Sequence, residues 1–73
     1  MGKQAILIKL GQKIKSERTM RGLSQLELAT NVGIEKTNLS RIERGLTNPT
    51  FFSLFVLAQA LDIPLKELVD IEF

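Results

Sequence analysis

Ser24 followed by Glu27, bracketed by Leu23 and Leu28, constrains the fold of this chain more than any other feature. A serine hydroxyl at a helix start accepts from the backbone N–H three residues on, and a glutamate at that third position reaches back to the serine N–H. Two of the orphan donors of a helix start are then satisfied reciprocally. The two leucines add an apolar staple that sets the angle at which the chain enters the helix. A helix therefore begins here. Leu28 and Ala29 face inward, Thr30 and Asn31 end the helix, and Gly33 supplies the backbone freedom for a sharp turn.

Around this start the pattern is helical throughout. No stretch alternates with period two, Tyr and Trp are absent, and there is no Asn-Gly or Asp-Gly hairpin signal. From Lys3 to Met20, Leu7, Leu10 and Ile14 recur at spacings of three and four, and Gly22 ends that segment. A third helix runs from Lys36 to Arg44 and stops at Gly45. Thr50 caps a fourth that lasts to about Leu61, with Phe51, Leu54, Ala58 and Leu61 centring its inner face. Pro64 opens a short fifth through Leu65, Leu68 and Val69. The expectation is an all-α, compact five-helix bundle in one domain over residues 1–73.

Composition removes whole classes of function. A chain of 73 residues buries only about 60% of the surface its unfolded form exposes, too little to enclose a large catalytic pocket. Cys and His are both absent, which excludes thiol nucleophiles, disulfides, imidazole bases and thiolate or imidazole zinc sites. Neither a metal nor another cofactor is expected, and enzyme activity is set aside. Only Leu54 to Ala58 form an unbroken apolar run of five, against the ~20 residues a membrane span needs. A soluble, cytoplasmic protein is expected.

The formal charge of +2 hides a gradient. Residues 1–22 carry six basic groups against one acidic, residues 23–45 three against three, and residues 46–73 one against four. Such polarity suits a molecule that turns one end toward a polyanion, although a solvated basic helix reads the same way.

The third helix carries the functional signal. At about 100° per residue, Leu39 and Ile42 define its buried side, while Thr37, Ser40, Arg41 and Arg44 share the opposite side, flanked by Lys36 and Asn38. Two short helices joined at Val32-Gly33-Ile34, the second with a polar face, form a helix-turn-helix pattern spanning about residues 24–44. Leu23-Ser24-Gln25-Leu26-Glu27-Leu28-Ala29, Val32-Gly33-Ile34, Leu39-Ser40-Arg41-Ile42-Glu43-Arg44-Gly45 and Asn48-Pro49 closely resemble the Cro/cI-type (XRE-type) helix-turn-helix regulators of bacteria and phage. The similarity extends through Leu54, Ala58, Ala60-Leu61, Leu65 and Leu68. It implies a lambda-repressor-like DNA-binding domain that regulates transcription, as a repressor or controller protein, by binding a palindromic operator as a homodimer.

Carried over residue by residue, the resemblance places Lys36, Thr37 and Arg41 at base-reading positions. A Lys or Arg donates to guanine O6 and N7, and a threonine methyl packs on thymine. Asn38 suits adenine but sits off the centre of the exposed face. Gln25 matches a phosphate-contacting position, where the exposed N–H groups of a helix start also attract an anion. Ser40, Arg44 and Asn48 resemble further backbone contacts, which position rather than specify. In the family an arginine at the Arg18 position pairs with the glutamate at Glu43, so a structural ion pair between the first and third helices is expected. Glu35 departs from the pattern: the family has Ser or Thr at this cap. Glutamate is a poor side-chain cap, and it either accepts from cytosine N4 or weakens binding to phosphate.

On the fourth helix Phe52, Val56 and Gln59 fall opposite the inner face, and Phe55 flanks them. The family more often has polar residues at the Phe52 and Val56 positions. A twofold contact through Phe52, Phe55 and Val56, aided by Ile71 and Phe73 of the tail, is expected, the alternative being that the tail folds back over these groups. The rival function is a protein-interaction module, as in antitoxins with this fold, whose apolar fourth helix and acidic last third hold a protein partner.

Overall fold

Five helices carry the chain in a computed structural model that describes residues 2–72: α1 (Lys3–Met20), α2 (Gln25–Val32), α3 (Lys36–Glu43), α4 (Phe51–Ala60) and α5 (Leu65–Leu68). There is no strand among the described residues. α2 and α3 have eight residues each, below the ~12–15 at which an isolated helix becomes even marginal in water. Their stability must come from packing. Leu28 and Leu39 are fully buried, and burying one leucine side chain contributes roughly 1.5–3 kcal/mol. α1 backs α3 and α5, α2 packs on α3 and α4, and α4 packs on α5. Leu10, Ile14, Ile42, Leu57, Leu61 and Leu68 complete the centre of the core.

Local chemistry sets the boundaries. The Glu27 N–H donates to Ser24 Oγ at 3.0 Å and the Ser24 N–H to Glu27 Oε1 at 2.9 Å, so the reciprocal cap is formed. Gly33 lies in the left-handed region at φ 76°, and the Ile34 N–H donates back to the Ala29 carbonyl at 3.0 Å. Thr50 Oγ1 accepts from the Ser53 N–H at 3.0 Å and starts α4.

Several sequence expectations are corrected. α2 continues past Thr30 and Asn31 through Val32, because the left-handed Gly33 closes it by satisfying its last carbonyls. α3 ends at Glu43, and Arg44 is its cap. Phe51 does not centre the inner face of α4: it is 73% exposed, and Leu57, Ala58 and Leu61 are the buried groups. Leu54, one turn before, is half-buried, so the inner stripe runs 54, 57, 58, 61. Phe51, the first residue of α4, projects from its end. Val69 lies beyond the single turn of α5 and is exposed. The tail runs along α1, where Lys9 Nζ donates to the Glu72 carbonyl at 2.8 Å. Ile71 is partly buried against the core, and through residue 72 the tail leaves Phe52 72% exposed. Phe73 lies outside the described residues.

One contact that positions α3 depends on a glycine in the middle of α1. A Cβ at Gly11 would stand 2.5 Å from the Ile42 carbonyl oxygen and closer still to that of Glu43. The end of α3 therefore rests directly on the α1 backbone, and no larger residue fits between them.

Candidate nucleic-acid interface

The capped start of α2, the left-handed Gly33 and the packing of Leu39 and Ile42 together fix how α3 is presented. Thr37, Asn38 and Arg41 are exposed, and with Gly33, Ile34 and Glu35 they line one open depression at the turn. Asn38, read from spacing as off the centre, stands with Thr37 and Arg41. Lys36 is exposed but outside that lining. Ser40 is half-buried, and Arg44 Nε donates to the Ser40 carbonyl at 3.4 Å, so the Arg44 side chain lies back along its own helix. Asn48 is exposed in the loop before α4.

Behind this face lies a buried polar network. Arg18 Nε donates to Glu43 Oε2 at 2.7 Å and Arg18 Nη2 to Glu43 Oε1 at 3.0 Å, a two-pronged pair. Arg18 Nη1 donates to the Leu23 carbonyl at 2.8 Å, and Gln25 Nε2 donates to Glu43 Oε1 at 2.9 Å. The network ties α1, the first residues of α2 and the last turn of α3 into one unit. Hydrogen bonding to Glu43 raises the Arg18 pKa further above its ordinary value, against the opposing effect of burial. Charges out of water are costly unless every lone pair and proton is used, and among the described residues no buried side-chain nitrogen or oxygen lacks a partner. The Gln25 amide is thus engaged internally, which the sequence reading missed: its partner lies 18 residues away and no local spacing signals it.

Much of the basic charge of α1 is also used within the molecule. Arg21 Nη1 donates to Glu17 Oε1 at 2.8 Å, and Lys13 Nζ lies 3.4 Å from Glu17 Oε2. The Arg21 hydrogen bond, with Lys13 adding to it, holds the Glu17 carboxyl below its ordinary pKa despite its burial. Lys3 and Lys15 are exposed on the same helix. Glu27 is also held low, by the Ser24 backbone N–H.

Glu35 makes no side-chain capping bond to α3. A serine or threonine there would stabilise the helix by roughly 0.5–2 kcal/mol, whereas a carboxylate beside the helix N-terminus recovers only about 0.3–1 kcal/mol. On α4, Phe51, Phe52 and Phe55 are exposed and Val56 is half-buried, leaving an apolar surface on that helix. No cluster of three or more potential metal-binding carboxylates occurs among the described residues, and no helix among them is long and apolar enough to cross a membrane.

A helix-turn-helix family profile matches residues 14–68. The HTH-type transcriptional regulator SinR of Bacillus subtilis (strain 168) is 42% identical over 62 residues, which cover 84% of this chain and 56% of that protein. The chain thus spans little more than half the length of that relative. The crystal structure of the restriction-modification controller protein C.AhdI from Aeromonas hydrophila is similar with a TM-score of 0.86 at 41% identity, covering 88% of this chain and 97% of that one. SinR solved in complex with DNA is similar with a TM-score of 0.78 at 42% identity, covering 84% and 98%.

Proposed function

The chain belongs to the Cro/cI-type (XRE-type) helix-turn-helix regulators, with their lambda-repressor-like fold, and on that premise we propose that it binds operator DNA by placing α3 in the major groove. The observation that carries this reading is an open depression lined by Thr37, Asn38 and Arg41, on a helix whose inner acidic group is already neutralised by Arg18. Arg41 is the principal base reader, donating to guanine O6 and N7. Thr37, Asn38 and Lys36 read neighbouring bases. Arg44, Ser40, Asn48 and the start of α2 at Gln25 meet the phosphates and set the register. SinR has been solved in complex with DNA, which supports the same use of the similar fold here.

The protein acts in the cytoplasm as a homodimer, as a repressor or controller of transcription. Exposed Phe52 and Phe55 with Val56 form the contact between copies, which sets two α3 helices about 34 Å apart over a palindromic site. A second reading, a protein-interaction module of the antitoxin kind, is favoured by the same apolar α4 surface. Salt separates the two. Binding to DNA weakens steeply with added salt because counterions return to the phosphates, whereas an apolar protein contact hardly changes. Binding titrations on a selected DNA site test the DNA reading directly: Arg41→Ala is expected to lose about 5-fold to 150-fold, the equivalent of one bidentate base contact. Equal affinity of the variant and its parent would remove Arg41 from the interface.

A further inference from the structure

Glu35 stands in the depression with Thr37 and Arg41, is exposed, and has no side-chain capping bond to the helix it precedes. Among the described residues it forms neither an ion pair nor a side-chain hydrogen bond, unlike Glu17, Glu27 and Glu43. Beyond its modest effect on the α3 dipole, no side-chain bond in the fold engages this carboxylate. It stands at the end of α3 that penetrates deepest into a major groove, where a group that only accepts hydrogen bonds is repelled by phosphate and can be satisfied only by a base-edge amine.

We propose that Glu35 is a specificity-determining residue that selects cytosine by accepting from its N4 amine, at one end of a reading surface whose other end is the donor Arg41. The proposal rests on the DNA-binding reading above. A carboxylate has no donor for guanine O6 or thymine O4, and at adenine it accepts from N6 only with its other lone pairs facing the N7 acceptor, so cytosine N4 is the base-edge amine it pairs with at least cost, and rejection is as much its role as attraction. Glu35 and Arg41 are separated by about 9 Å along the helix axis at 1.5 Å per residue. With base pairs about 3.4 Å apart, the cytosine lies at most about three base pairs from the guanine that Arg41 reads, fewer as α3 is inclined to the DNA axis. An acceptor and a donor at this separation give the half-site a polarity that neither group gives alone.

The test is selection of sites from a random duplex pool by the parent, Glu35→Gln, Glu35→Ser and Arg41→Ala, followed by affinity measurements on the preferred site and its single-base variants. The parent is expected to prefer cytosine about tenfold at one position in each half-site. Glu35→Gln moves that preference to adenine, since a glutamine both donates and accepts. Glu35→Ser, which installs an ordinary cap and keeps the helix, abolishes it. Arg41→Ala loses the guanine preference and retains the cytosine. The same base preferences in the parent and both Glu35 variants would overturn the assignment. So would a uniform rise in affinity for every sequence in those variants, which is the behaviour of plain phosphate repulsion. A parent protein that selects no sequence at all removes the DNA-reading premise, and the assignment with it.

Discussion

Replacing Gly11 by alanine sets two physical effects against each other, and the geometry decides between them. Gly11 lies within α1, where alanine is the better helix former by about 0.8–1.0 kcal/mol. On propensity alone the variant would be more stable. The added methyl, however, would stand 2.5 Å from the Ile42 carbonyl oxygen and closer to that of Glu43, and both are backbone atoms that no rotamer change can move aside. Overpacking of this kind costs about 1–3 kcal/mol or more, and two rigid carbonyls place this site at the upper end. The net expectation is a loss of about 2 kcal/mol, which for a domain of this size lowers Tm by about 8–16 °C. Thermal unfolding followed by circular dichroism reads this directly. DNA affinity should fall with it, because separating α1 from the end of α3 re-aims Arg41. A Gly11→Ala protein that melts at or above the parent temperature would show that α1 and α3 are not in backbone contact and would refute the reasoning.

Other expectations concern the buried charges and the apolar surface. Glu43→Ala leaves the Arg18 guanidinium buried without its partner and should cost about 3–5 kcal/mol by urea unfolding, more than the double change Arg18→Met with Glu43→Leu; equal losses in the two would argue that the pair is unimportant. Glu17 is held below the ordinary glutamate value of 4.5, so its contribution is present above that value and is lost as pH falls through the lowered folded-state value. Glu17→Gln should therefore flatten the acid limb of a stability profile, and an unchanged limb would mean that other carboxylates govern it. Sedimentation of Phe52→Glu with Val56→Glu should give a monomer from a dimeric parent, and persistence of the dimer would move the contact elsewhere.

What the sequence disclosed and what it concealed divides along physical lines. Ser24, Glu27 and Gly33 act over three to five residues, so their consequences, a cap and a left-handed turn, follow from local rules. The polar face of α3 was equally legible, because Leu39 and Ile42 contrast with Thr37 and Arg41. α4 offered no such contrast: nearly every residue from Phe51 to Leu57 is apolar, so spacing could not show that Leu57, rather than Phe51, is buried. Gln25 and Glu43 meet only because α2 and α3 fold together. Gly11 carried a faint signal, a glycine among good helix formers beside the Leu7, Leu10 and Ile14 stripe, which marks close packing more often than chance.

The seating of the last α3 carbonyls on Gly11 also decides which charges surround the two ends of that helix. A helix bears about half a positive charge at its amino end and half a negative charge at its carboxyl end. Here the negative end is pressed against the basic α1, with Arg18 beside it, and the positive end projects outward. Glu35 sets a full negative charge beside that half-positive end, so the helix dipole supplies no net pull on a polyanion there, and any attraction near α3 falls to the exposed Lys36, Arg41 and Arg44.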